Sequence, residues 1–145
     1  MAGLYIHIPF CRKACHYCDF HFSTNLSLKT DMVNAIVKEI ALQKDYLPAK
    51  SLQSIYFGGG TPSLLTESEL GQIFEAIYKF FTLEKDAEIT LEANPDDLTK
   101  EKIKSFKNLK INRLSIGIQS FDENHLKLMN RLHTATEAEN SVRFS

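Results

Sequence analysis

Three cysteines near the start of the chain are the most chemically distinctive feature of the sequence. Cys11, Cys15 and Cys18 are spaced C-x3-C-x2-C, and the chain contains no other cysteine. This spacing lets three thiolates surround one face of a metal centre as a single loop. A structural zinc site normally has four protein ligands, whereas a cluster that performs chemistry keeps one iron open for substrate. The odd number of cysteines therefore indicates a metal or redox site rather than a disulfide framework.

Ligand chemistry alone leaves a zinc site open as an alternative. A histidine near the cysteines, either His16 or His21, would supply the fourth ligand. His16 lies between two of the cysteines and is poorly placed to share their metal, whereas His21 is better placed. In this alternative the chain is a small zinc-stabilised binding module.

Two further candidate site segments directly follow predicted strands. Residues 58–62 read GGGTP. Glycine leaves backbone N–H and C=O groups unobstructed, so that an amino or carboxylate group of a ligand can approach closely. A simple tight turn is the alternative. Glu92 follows the next strand, and its two oxygens suit the paired hydroxyls of a ribose, although most glutamates are solvated surface groups.

Hydrophobic periodicity predicts strands that alternate with helices. The predicted strands are residues 4–8, 54–57, 88–91 and 113–118. Five helix starts are predicted from capping residues: Ser27, Thr66 with Glu69, Thr99, Ser120 with Glu123, and Thr134 with Glu137. The first helix is expected to end near Tyr46, before Pro48.

This alternation predicts an α/β fold with about four βα units and a parallel sheet. Right-handed crossovers would curl such units into part of a barrel, whose functional sites lie at the carboxyl ends of the strands. The cysteine loop, the glycine loop, Glu92 and Gln119 each follow a different predicted strand. We therefore expect them to converge on one edge of the sheet.

The residues around the cysteines extend this pattern into a resemblance to a known family. An aromatic residue, Tyr17, directly precedes the third cysteine, and the wider motif reads HIPFC…CHYCDF. The motif resembles the radical S-adenosylmethionine (SAM) superfamily, and within it the coproporphyrinogen III oxidase-like branch. In this superfamily three cysteines hold a [4Fe–4S] cluster, and SAM binds the fourth iron through its amino and carboxylate groups. The resemblance implies that residues 1–145 are the N-terminal portion of a partial (β/α)6 TIM-like barrel, truncated at the C-terminus.

The resemblance also implies which residues bind SAM. Gly59, Gly60 and Thr61 match the glycine-rich segment that binds the methionyl amino group of SAM. Glu92 matches a glutamate that binds the ribose.

Four more residues match positions near the cluster in this branch. Gln119 and Arg131 correspond to positions that contact SAM or a second molecule near it. Tyr5 and Tyr17 correspond to aromatic residues beside the cluster and SAM. The alternatives are a surface helix charge for Arg131 and core aromatic rings for both tyrosines.

The branch contains two activities, and one position distinguishes them. Oxygen-independent coproporphyrinogen oxidases carry a further cysteine two residues after the third, where this chain has Phe20. The resemblance therefore implies a heme chaperone, which binds heme and passes it to acceptor proteins. The alternative is oxidative decarboxylation of coproporphyrinogen III, a porphyrinogen, by a radical formed on reductive cleavage of SAM. In either activity the cofactor carries the chemistry, and the protein binds and orients it.

Composition sets the remaining expectations. A net charge of −1 without Lys/Arg clusters argues against a nucleic-acid-binding surface. No apolar run approaches the roughly 20 residues that span a bilayer, and the N-terminus lacks the features of a signal peptide. These observations predict a cytoplasmic protein without a transmembrane segment. Family members continue through further βα units and a C-terminal domain that carries a heme-binding region, so the resemblance implies heme as a ligand of the full-length family. The fourth strand is expected to form an open, apolar sheet edge.

Overall fold

The computed structural model describes residues 2–145 and contains a sheet of four parallel strands. These strands are β1 (Gly3–Ile8), β2 (Ser51–Gly59), β3 (Thr82–Ala93) and β4 (Arg113–Ile116). The order across the sheet is β1-β2-β3-β4, so β1 and β4 form its two edges. All three strand pairs are parallel, which confirms the predicted α/β fold.

Every strand is followed by at least one helix, which gives the four predicted βα units. The helices are α1 (Lys29–Leu42), α2 (Glu67–Phe80), α3 (Lys100–Asn108), α4 (Glu123–Leu128) and α5 (Ala135–Phe144). Within residues 2–145, none of the helices is both long and apolar enough to traverse a lipid bilayer.

The two faces of the sheet have different chemistry. On one face, Ile55, Phe57 and Leu91 are completely buried in a core that they share with α1, α2 and α3. The Phe57 ring packs against Phe74 of α2, with ring centroids 5.4 Å apart. Because side chains alternate along a strand, Tyr56 and other polar residues lie on the opposite face. That face leads to the carboxyl edge of the sheet.

Two strands differ in length from the sequence prediction. β3 begins at Thr82 rather than at residue 88, because its first residues pair with the start of β2 (Ser51 with Thr82). Most side chains in this first part of β3 are exposed. Backbone pairing of this kind leaves no apolar pattern in the sequence. β4 ends at Ile116 rather than at residue 118, because the chain turns sharply at Gln119, whose φ is 65°.

Three of the predicted helix starts are confirmed. Thr66 and Thr134 each form a capping box, with Glu69 and Glu137 respectively. Thr99 caps α3 by accepting a hydrogen bond from a backbone N–H of its first turn. These caps satisfy N–H groups that have no partner inside the helix.

Two predicted caps and one predicted helix end are wrong. Asn25, not Ser27, supplies the first capping side chain, and it begins a short 3-10 turn that precedes α1. Asp122, not Ser120, caps α4 by accepting hydrogen bonds from two backbone N–H groups of its first turn. In both cases an Asn or Asp close in sequence to the serine accepts the bond, and such side chains are strong caps. α1 ends at Leu42, earlier than predicted.

Candidate cofactor site

An open cavity of about 360 Å³ lies at the carboxyl edge of the sheet. The segments that follow all four strands contribute to its lining. Its walls contain these sequence-predicted residues: Cys11, Cys15, Tyr17, Cys18, Gly59, Gly60, Thr61, Glu92, Gln119 and Arg131. The structure thus brings together every predicted site residue except Tyr5, which lines a separate groove beside α1.

The cysteine loop begins directly after β1 and is closed at its base. The backbone N–H of Cys11 donates to the carbonyl of Ser23 (3.1 Å), and the N–H of Ser23 donates to the carbonyl of Pro9 (2.8 Å). The tip of the loop is tied to the end of α4, because Asn130 Nδ2 donates to the Ala14 carbonyl at 2.7 Å. The chain therefore holds the loop at both its base and its tip.

The three thiols are free and half-buried in the cavity wall. Among residues 2–145, no three Cys, His, Asp or Glu side chains converge as ligands of a single ion would. A [4Fe–4S] cluster takes one thiolate at each of three irons, so its ligands need not meet at one point.

The glycine loop lies directly against the cysteine loop. Gly59 has a φ of 114°, which side-chain-bearing residues rarely adopt. A Cβ atom on Gly60 would lie 2.7 Å from the Phe10 carbonyl oxygen and 3.0 Å from Cys11 Sγ. The absence of a side chain at Gly60 is therefore required for the two loops to approach each other, whereas glycine at position 59 is required by the backbone conformation at the end of β2.

Thr61 completes this contact with a polar group. Its Oγ1 donates to Cys11 Sγ at 3.4 Å. Burial raises the pKa of the Cys11 thiol, and the Thr61 hydroxyl acts in the opposite direction by stabilising the thiolate. Because thiolates are the metal-binding form of cysteine, this hydroxyl favours binding.

Glu92 is oriented by two hydrogen bonds. Its carboxylate accepts one from the Tyr56 hydroxyl at 2.7 Å and one from the Gly59 N–H at 3.1 Å. The bond to Glu92 is the main cause that raises the pKa of Tyr56. Tyr5 stacks on Tyr56 with ring centroids 5.9 Å apart, so it supports the site indirectly. Tyr56 was not predicted from the sequence, because only the pairing of the strands places it beside Tyr5 and Glu92.

Arg131 reaches into the cavity from the segment after α4 and is not a free surface charge. Its Nη2 donates to the Gly117 carbonyl (2.6 Å) and to Asn94 Oδ1 (2.9 Å), and its Nη1 lies 3.5 Å from Cys15 Sγ. Its Nε is buried and has no hydrogen-bond partner among residues 2–145. A buried N–H without a partner is costly. The guanidinium as a whole lies in the cavity wall, where its positive charge favours an anionic ligand.

The turn that carries Gln119 depends on a buried histidine. His133 is only 2% exposed, and its Nε2 donates to the carbonyl of Ile118 at 2.9 Å, while its Nδ1 has no partner within the described chain. Burial lowers the pKa of His133, and the nearby charge of Arg131 lowers it further. No local sequence pattern predicts this contact, because it joins residues that lie on different segments of the chain.

The fold and the site combine a parallel βα sheet with a three-cysteine loop and an open cavity at the carboxyl edge of that sheet. The sequence model of the radical SAM superfamily matches residues 5–144, and the chain belongs to this superfamily. Membership implies a [4Fe–4S] cluster and SAM. It therefore favours the cluster over the zinc alternative.

Curated relatives are named as heme chaperones. The chain is 39% identical over 145 residues to "Heme chaperone HemW" of Synechocystis sp., an alignment that covers 95% of this chain and 35% of the relative. It is 39% identical over 135 residues to the protein of the same name from Bacillus subtilis, with 92% and 36% covered. The chain thus spans just over a third of the length of these relatives.

A solved structure confirms the type of fold. The coproporphyrinogen III oxidase HemN from Escherichia coli, described as a radical SAM enzyme, is 28% identical and superimposes with a TM-score of 0.88. The match covers 98% of this chain and 33% of that protein. The four βα units therefore form part of a TIM-like radical SAM barrel.

The cavity fits the cofactors that the family implies. Three free thiols can bind a cluster, and the glycine loop, the Glu92 carboxylate and the Arg131 guanidinium line the same cavity. The donor set therefore suits both a [4Fe–4S] cluster and an amino acid group such as that of SAM.

The buried His133 generates a prediction about pH. Because the folded pKa is lower than the unfolded value of about 6.5, the unfolded chain binds the proton more readily and stability falls as pH decreases below that value. The wild-type chain should therefore lose more free energy of unfolding between pH 7.5 and pH 5 than His133→Gln does. Chemical denaturation at both pH values measures the difference. Equal losses in the two proteins would contradict a buried, neutral histidine.

Proposed function

We propose that this chain is the SAM-binding core of a HemW-type heme chaperone, which binds heme and delivers it to acceptor proteins. The observation that carries this proposal is Phe20. In the decarboxylases of this branch the corresponding position is an additional cysteine, whereas here it is an apolar ring, 75% exposed, in the cavity wall. The names of the curated relatives support the same choice.

Cys11, Cys15 and Cys18 would hold the [4Fe–4S] cluster as thiolates. Thr61 would stabilise the first of them through its hydroxyl, and Arg131 lies beside the second. When bound, the cluster supplies the electron for reductive cleavage of SAM. The protein contributes the position of the three thiols in the cavity wall.

The remaining polar residues would orient SAM. The open backbone at Gly59, Gly60 and Thr61 suits its amino group, and the Glu92 carboxylate suits the two hydroxyls of its ribose. The Arg131 guanidinium suits a carboxylate because it offers several donors in a fixed plane. Gln119 lines the same cavity and would contact SAM or a neighbouring ligand.

Aromatic side chains at the cavity support the binding of a tetrapyrrole. Tyr17, Phe20 and Phe22 all line the cavity, and the first two are about half to three-quarters exposed (49% and 75%). Exposed rings of this kind can stack on a flat macrocycle such as heme. Heme would therefore bind next to the cluster and SAM.

Oxidative decarboxylation of coproporphyrinogen III is the second candidate function. The observation in its favour is the superposition on HemN, with a TM-score of 0.88. Shared fold alone does not imply shared activity, since function resides in the site. The absence of a cysteine at position 20 is the local difference that favours the chaperone.

The cluster assignment predicts the result of anaerobic reconstitution with iron and sulfide. The chain should bind iron and acid-labile sulfide, and SAM should change the electron paramagnetic resonance (EPR) spectrum of the reduced cluster, because the fourth iron has no protein ligand. Cys18→Ser should abolish or strongly reduce cluster binding, whereas His21→Ala should not. Loss of metal in His21→Ala, with bound zinc in the wild type, would instead support the zinc-binding module.

The contacts of Glu92 predict that Tyr56 indirectly supports SAM binding. Tyr56→Phe removes the hydroxyl that orients the carboxylate, so the affinity for SAM should fall about 5- to 10-fold, the effect of losing one ordinary hydrogen bond of about 1 kcal/mol. The EPR spectrum without SAM should stay unchanged. Tyr78→Phe, a half-exposed tyrosine of α2 outside the cavity, is the matched control. Equal affinities in both variants would show that this hydrogen bond is not used.

Chaperone and decarboxylase predict different results with tetrapyrroles. Heme should bind the reconstituted chain, and Phe20→Ala should weaken binding roughly 5-fold through loss of ring stacking. Tyr46→Ala, 81% exposed and outside the cofactor cavity, should bind as the wild type does. Titrations followed by the Soret absorption of heme measure both. Coproporphyrinogen III incubated with SAM and a reductant should be recovered unchanged, and a decarboxylated product would establish the alternative.

A further inference from the structure

Arg12 lies inside the cysteine loop, yet its side chain leaves the loop and contacts the segment that follows β3. Its Nη1 donates to Asp96 Oδ2 at 3.1 Å and also to Asp97 Oδ1. We infer that Arg12 is a positioning residue, which fixes the cysteine loop relative to the SAM-binding edge of the sheet. This inference rests on the proposed function for the identity of the ligands, and on the observed contacts for everything else.

The contact bridges two strands that are not neighbours. Arg12 follows β1 and Asp97 follows β3, whereas β2 and its glycine loop lie between them in the sheet. The side chain therefore spans the glycine loop, against which the cysteine loop already packs at Gly60. A bond between these two ends restrains the cysteine loop from moving away from the cavity.

The hydrogen bonds continue from Asp97 back to the first thiol. Asp97 Oδ2 accepts from Ser63 Oγ at 2.5 Å, and Ser63 Oγ accepts from the Asn94 N–H at 3.2 Å. Asn94 Nδ2 donates to Thr61 Oγ1, which in turn donates to Cys11 Sγ, each at 3.4 Å. Because Arg12 is bonded covalently to Cys11, these contacts close a ring. We call this set the Arg12 ring.

The burial of its members shows why this contact differs from an ordinary surface ion pair. The Asp97 side chain is only 2% exposed and Ser63 is 1% exposed. A buried carboxylate requires a counter-charge and hydrogen bonds, and Arg12 and Ser63 supply them. Exposed ion pairs contribute little by comparison. Arg113 with Glu88 is such a pair, since the two side chains are 61% and 49% exposed.

For the site, these contacts hold the Cys11 thiol at a fixed distance from Thr61 and Asn94. Thr61 and Asn94 both line the cavity, and Asn94 also accepts from Arg131. Loss of the Arg12 contact would release the loop while the thiols themselves remain present. Mutation of a group that orients metal ligands from outside typically lowers metal affinity or activity 10- to 100-fold. We expect an effect at the lower end of this range on SAM affinity when the Arg12 contact is lost.

A double-mutant cycle tests the inference. Arg12→Met, Asp97→Asn and the double variant are compared with the wild type, and Arg113→Met serves as the matched control that loses only a surface ion pair. Circular dichroism and thermal unfolding establish that each variant is folded. The first readout is hydrogen exchange of residues 11–18 in the cofactor-free chain. The second is SAM affinity, from titration of the cluster EPR signal after reconstitution.

We expect faster exchange of residues 11–18 and about tenfold weaker SAM binding in Arg12→Met. Asp97→Asn should give a smaller change in the same direction, because Arg12 keeps its contact with Asp96. The double variant should be no worse than Arg12→Met, because that single substitution already removes the Arg12–Asp97 contact. Arg113→Met should match the wild type. If Arg12→Met does not fold, Arg12→Lys, which keeps a positive charge in the loop, should show exchange and affinity between those of the wild type and Asp97→Asn.

Unchanged exchange and unchanged SAM affinity in a folded Arg12 variant would overturn the inference, as would fully additive effects in the double variant. Hydrogen exchange needs no cofactor, so this arm is independent of the proposed function. If SAM did not change the EPR spectrum of the wild-type cluster, the proposed function would be overturned. Hydrogen exchange of residues 11–18 would still decide whether Arg12 holds the cysteine loop.

Discussion

Parallel strand pairing is the constraint on which the site depends. In a parallel sheet every strand presents its carboxyl end at the same edge, so segments that are far apart in the chain meet there. The cysteine loop, the glycine loop, Glu92 and the Gln119 turn reach one cavity for this reason. The apolar face of the sheet packs on the helices and leaves the polar face to end in that cavity. The hydrophobic core and the cavity thus both result from the parallel arrangement of the four strands.

Within the cavity, charged groups are held by hydrogen bonds rather than by contact with solvent. Glu92 accepts from Tyr56 and Gly59, and Arg131 donates to Gly117 and Asn94. Such bonds fix orientation before any ligand arrives, which reduces the entropy lost on binding. The buried Arg131 Nε, without a partner among residues 2–145, is the point at which this network remains incomplete.

The comparisons separate what is shared across the superfamily from what is specific to this chain. The fold is common to proteins named as heme chaperones and to a coproporphyrinogen oxidase. A shared fold does not decide between these activities, because function resides in the site. The contacts of Tyr56 with Glu92 and of Arg12 with Asp97 are local features of the site in this chain.

The sequence by itself determined the features that depend on neighbouring residues. Cysteine spacing predicted the metal site, apolar alternation predicted all four strands, and the Thr66 and Thr134 capping boxes were confirmed because their partners lie three residues away. Tertiary structure decided the rest: the polar start of β3, the role of Tyr56, and the pairing of Arg12 with Asp97, 85 residues apart in the chain. Such contacts form only when the sheet brings distant segments together, so no local pattern can encode them.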